Sequence, residues 1–170
     1  MRRSWVLILV LLLAGCAPTS YLLPSGPPHA GQRNPASVGS PVPAVVLFLE
    51  PRPGDQFELI SAEAIGTGTG ATVRFFLSRA VIQADGSRLI GELREELAGA
   101  RIGTAADASP GPANAVGIIA EVTLSQAGRY ELSSVRLRYR LNGGAEQVGE
   151  GIDVVFTVCA AVPAPTTCEE

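Results

Sequence analysis

The chain of 170 residues contains no lysine; all thirteen of its basic residues are arginine. It has one histidine, His29, and one tryptophan, Trp5. From Ala44 to the C-terminus there is therefore neither an imidazole nor a lysine amine. A Ser–His–Asp or Cys–His site cannot be assembled there, because each needs an imidazole base. A lysine Schiff base and a histidine-ligated zinc centre are excluded on the same ground. Positive charge is also in short supply: the formal net charge is −3 at pH 7. General nucleic-acid binding needs a basic footprint, so no nucleic-acid partner is expected. Long apolar runs are missing too. The longest, Trp5–Leu13, has nine residues, whereas a bilayer-spanning helix needs about 20.

That short run is nevertheless the first informative feature. Arg2 and Arg3 precede it, and the small residues Ala14 and Gly15 follow it. A basic head, a short apolar core and small residues are the parts of a signal peptide. Leu13-Ala14-Gly15-Cys16 resembles the lipobox of bacterial lipoproteins. The resemblance covers the first sixteen residues. It implies removal of residues 1–15 and acylation of Cys16, hence attachment to the cell membrane or outer membrane with the domain facing the periplasm or the exterior. Ala17 in place of Asp after the cysteine favours the outer membrane, where the host has two. The alternative is an ordinary secretory signal with a chance cysteine. Without residues 1–15 the chain holds eleven arginines against sixteen acids, a formal charge of −5.

Assigning Cys16 to lipid leaves Cys159 and Cys168. An even pair outside the cytoplasm reads as a disulfide. Closing their ten-residue loop contributes roughly 2–3 kcal/mol in the loop-entropy picture. The spacing excludes a CxxC redox site, and two cysteines alone do not make a zinc site. No metal or cofactor is expected.

Residues 16–43 carry seven of the thirteen prolines, with Gly, Ser and Asn between them. No helix or strand period is present, so this stretch reads as a disordered tether. Extended at 3.1 Å per residue, it reaches on the order of 80 Å. Tyr21-Leu22-Leu23 is its one apolar patch.

Residues 44–170 read as the folded domain, all-β throughout. Ala44–Glu50 is a short apolar strand. Phe57–Ile65 and Ala71–Ala80 alternate apolar and polar positions across Gly66–Gly70. Asp85-Gly86 suits a tight hairpin between Val81–Ala84 and Ser87–Ile90. Over residues 87–98 a helix capped by Ser87 is the alternative, since Leu89, Leu93 and Leu97 recur every four residues. Ala115–Leu124 is a strand. In Tyr130–Leu141, Val135, Leu137, Tyr139 and Leu141 share one face and Arg136, Arg138 and Arg140 the other. Asn142-Gly143 signals a type I′ turn into Val148–Cys159. Seven or eight strands at this spacing predict an antiparallel β-sandwich. Ala127-Gly128-Arg129-Tyr130 resembles the turn before the tyrosine corner of immunoglobulin-like domains. That resemblance implies an immunoglobulin-like sandwich and no activity. Leu132 stands where antibody domains have a cysteine.

The most pointed surface feature is the arginine row. Three guanidinium groups on one strand face suit a phosphate, a carboxylate or an anionic glycan. The bland reading is a solvated sheet face, neutralised by cross-strand acids such as Glu146 and Glu150. Gly66–Gly70 lacks the Lys and Ser/Thr of a phosphate-binding loop and reads as a turn. Glu92, Glu95 and Glu96 are candidates for carboxylate chemistry, which requires two acids facing across a cleft. Asp107 lacks the alternating oxygen run of a calcium loop. Together these point to a non-enzymatic, membrane-anchored module that binds an envelope protein or glycan. The alternatives are a carboxylate-dependent hydrolase of envelope polymer and a purely structural role.

Overall fold

The computed structural model describes residues 22–24, 32–49, 51–82, 88–90, 95–103 and 116–168. Every regular element among them is a strand. In chain order these are β1 (Leu22–Pro24), β2 (Gln32–Ser37), β3 (Val42–Leu49), β4 (Gln56–Gly68), β5 (Ala71–Ile82), β6 (Arg88–Ile90), β7 (Glu95–Glu96), β8 (Arg101–Gly103), β9 (Val116–Leu124), β10 (Gly128–Leu141) and β11 (Glu146–Ala161). They form two sheets. Sheet one runs β1-β3-β9-β5-β6, with β7 also paired to β5; sheet two runs β2-β11-β10-β4-β8.

Alternation builds the core. Phe57 and Leu59 of β4, Leu132, Val135 and Leu137 of β10 and Phe156 and Val158 of β11 point inward from sheet two. Ile118, Ala120, Val122 and Leu124 of β9, with Val46, Leu47 and Leu49 of β3, meet them from sheet one. The ring of Tyr139 lies against Phe57, centroids 5.7 Å apart. Fully burying one such side chain contributes about 1.5–3 kcal/mol.

The chain changes sheets repeatedly, and three of its corners gather at one end. They are Val38–Ser40, Thr69-Gly70 and Ser125–Ala127. Backbone bonds stitch them: Gly39 N–H donates to the Leu124 carbonyl at 2.8 Å, and Ser125 N–H to the Gly70 carbonyl at 2.9 Å. Gly70 has φ +71°, a left-handed conformation that glycine adopts without steric cost. The opposite end carries the β3–β4 turn and the β10–β11 turn. There Gln56 N–H donates to Asn142 Oδ1 at 2.8 Å, and Asn142 Nδ2 donates to Asp55 Oδ1 at 3.4 Å. Asn142 and Gly143 have φ of 52° and 69°, as the Asn-Gly pair predicts.

Two expectations need correction, and one open alternative is decided. The domain does not begin at Ala44. β2, inside the expected tether, pairs in parallel with β11 from Gln32↔Phe156 to Ser37↔Ala161. β1 pairs antiparallel with β3, Leu22 opposite Leu49. Proline content misled here: β2 is an edge strand, and an edge tolerates Pro35 because one side of it makes no ladder bonds. The strand count exceeds seven or eight, because β1, β2, β7 and β8 are too short or too proline-rich to show alternation. Over residues 87–98 the described residues follow the hairpin reading and not the helix alternative: β6 pairs with β5, Val81 opposite Leu89, and β7 pairs with the same strand. The turn Asp85-Gly86 lies outside the described residues.

Candidate functional site

The arginine row sits on β10, the middle strand of sheet two. Its placement follows from period two: Val135, Leu137 and Tyr139 are buried, so Arg136, Arg138 and Arg140 face outward. Each meets a glutamate on a neighbouring strand. Arg136 reaches Glu63 at 3.0 Å, Arg138 reaches Glu146 at 3.3 Å, and Arg140 reaches Glu58 at 3.1 Å. Glu58 also takes Arg101 of β8 at 3.7 Å. Ladder register explains the choice of partners. Arg136 lies directly opposite Glu63 and Arg140 opposite Glu58, while Arg138 reaches diagonally to Glu146 on β11.

The three arginine side chains remain 39–55% exposed. In water-facing pairs of this kind the Coulomb gain is small, about 0.2–1 kcal/mol each. The arrangement is a cross-strand ladder of ion pairs spanning β8, β4, β10 and β11. To bind this face an anion must compete with a glutamate at each arginine. Of the partners expected from sequence, Glu146 is in place; the side chain of Glu150 lies outside the described part. Glu58, Glu63 and Arg101 were not singled out. Glu58 and Glu63 stand five residues apart, which strict alternation would turn to opposite faces; the register shift opposite Arg138 and Tyr139 brings both to the arginine face, so the signal is legible only once the register of β4 against β10 is known.

The other candidates resolve differently. Gly66 and Gly68 belong to β4, and Thr69-Gly70 turns the chain from one sheet into the other. The Gly70 carbonyl accepts from both the backbone and the hydroxyl of Ser125. This loop is therefore a corner tied to the next corner. Glu95 and Glu96 are consecutive strand residues and so point to opposite faces. Glu96 forms an ion pair with Arg74, whose guanidinium lies 4.9 Å from the centre of the Phe76 ring. Among the described residues no cluster of three or more His, Cys, Asp or Glu is placed to hold a metal ion. Cys16, His29, Glu92 and Asp107 lie outside the described residues.

Cys159 and Cys168 are joined in a disulfide, with Cα atoms 5.6 Å apart. The closed loop folds back on the outer side of sheet two. There Arg33 of β2 donates to the Cys168 carbonyl at 3.1 Å, and Cys168 and Thr157 are buried. Comparison with protein-family models, with curated protein sequences and with solved structures finds no match.

Proposed function

We propose that this is a lipid-anchored protein of a bacterial envelope whose sandwich is a non-catalytic binding or assembly module. The observation that carries the reading is the allocation of its three cysteines. Two are closed in a disulfide near the C-terminus, which suits an oxidising compartment. The third stands alone behind a basic head, a nine-residue apolar core and the string LAGC. Two or more acyl chains on one residue anchor stably where one does not, at roughly 0.8 kcal/mol per buried methylene. The partner is an envelope protein or glycan. The test is metabolic labelling with a radioactive fatty acid followed by fractionation. Cys16→Ser is expected to lose the label and move to the soluble fraction; retention of both label and membrane fraction would sink the reading.

We also read the sandwich as immunoglobulin-like. Immunoglobulin domains place strands A, B, E and D in one sheet and C, F and G in the other. The orders β1-β3-β9-β5 and β11-β10-β4 support assigning these strands to that plan. On this reading β10 is strand F, and Tyr130 stands near its start, just after the corner from strand E. The Tyr130 side chain is buried, its hydroxyl 2.6 Å from where a Cβ on Gly66 would stand. Burial pushes its pKa above the usual phenol value. Two features depart from the plan. Leu132 takes the place of the cysteine, and β8, which follows β5 in the chain, is added beside strand C.

A further inference from the structure

We infer that the sandwich stands on the bilayer that holds its anchor, with the end formed by Pro51–Asp55 and Asn142–Ala145 turned to the lipid headgroups. The inference rests on the lipid-anchor reading and adds an orientation to it. Its basis is the length of chain between Cys16 and the first strand. Only Ala17–Tyr21, five residues, separates them. Six steps of extended chain span at most about 20 Å. A tether running to residue 43 would reach about four times as far. The anchored protein therefore keeps Leu22 close to the headgroups.

Register then decides which end is near. β1 runs antiparallel to β3, and Leu22 lies opposite Leu49, the last residue of β3. The turn that follows β3 is tied to the β10–β11 turn through Asp55, Gln56 and Asn142. Both turns thus share the end at which Leu22 enters. The stitched corners and the disulfide loop lie at the other end, farther away by at least the length of β3. That strand has eight residues, or about 26 Å. Among the exposed residues of the two loops at the near end, Arg52–Gly54 and Asn142–Ala145, Arg52 carries the one charge. Asp55 is turned inward, 9% exposed, where its carboxylate accepts from Arg52 N–H and Asn142.

The test uses full-length acylated protein in vesicles of phosphatidylethanolamine and phosphatidylglycerol that carry an energy acceptor on a fraction of the headgroups. A donor dye is placed on Pro53→Cys in one sample and on Gln126→Cys in another. The expected result is energy transfer several-fold stronger from position 53 than from 126. Inserting twenty Gly/Ser residues between Ala17 and Pro18, which leaves the domain untouched, is expected to bring the ratio close to one. Equal transfer from the two positions in the uninserted, acylated protein overturns the orientation and leaves the anchor standing. A Cys16 peptide whose mass shows no acyl groups overturns the anchor and the orientation together.

Discussion

β9 and β10 are consecutive strands joined by one corner, yet they meet solvent in opposite ways. β10 is buried on one face only, and its outer face carries the arginine ladder. β9 is buried on both over residues 117–120, whereas Glu121 and Thr123 farther along are half-buried on its outer side. Gly117, Ile118, Ile119 and Ala120 are all inaccessible, although only Ile118 and Ala120 of these belong to the core shared by the sheets. Ile119 and Phe48 of the adjacent β3 point to the other side of sheet one and are still only 3% and 5% exposed. A strand with one wet face alternates; a strand buried on both faces reads as an unbroken apolar run. The difference in pattern between AVGIIAEVTL and SSVRLRYRL is thus a record of how many faces each strand buries.

Four changes test that contrast, in descending order of effect. Leu137→Ala removes an inward side chain from β10 and is expected to cost about 2–5 kcal/mol in urea unfolding. A cost under 1 kcal/mol would mean that the inner face of β10 is not the core face. Replacing both Cys159 and Cys168 by Ser is expected to cost about 2–3 kcal/mol. It should also raise hydrogen exchange in β2 around Arg33, whose guanidinium donates to the Cys168 carbonyl. Unchanged exchange there would mean that the loop does not hold the β2 edge. Ile119→Val sharpens the comparison most directly. If the outer face of β9 is as closed as its inner face, the cost matches that of Ile118→Val, about 0.5–1.5 kcal/mol; an exposed position would show almost none. Arg138→Ala on the wet face of β10 is expected to cost about 0.2–1 kcal/mol, and the difference should fade in 1 M salt.

The same contrast explains what the sequence made legible. The faces of β10, the Asn142-Gly143 turn and the Cys159–Cys168 pair all carry local signals: a period, a dipeptide and an even count. β2 carries none. Gln32–Ser37 is polar, proline-containing and without alternation. Its place is supplied by the edge of β11, with paired residues 124 positions apart in the chain, so only the tertiary structure reveals it. The candidate site was legible to the same extent. The arginine row was visible on one strand, but Glu58 and Glu63 became its partners through the register between β4 and β10. Register is fixed by long-range packing and by bulges such as those between Leu132 and Ser134 and between Arg138 and Tyr139.

The parallel β2–β11 pair has a mechanical consequence. Its six residue pairs join a strand near the start of the chain to the last strand. The N-terminal side enters at one end of this pair and the C-terminal side leaves at the other. Once the three pairs of β1 with β3 have parted, a pull between the two termini runs along these strands and loads their hydrogen bonds together, in shear, instead of opening them one by one from an end. The geometry is that of a lap joint. The joint lies along the direction in which a protein held at its N-terminus and loaded at its C-terminus would be stretched.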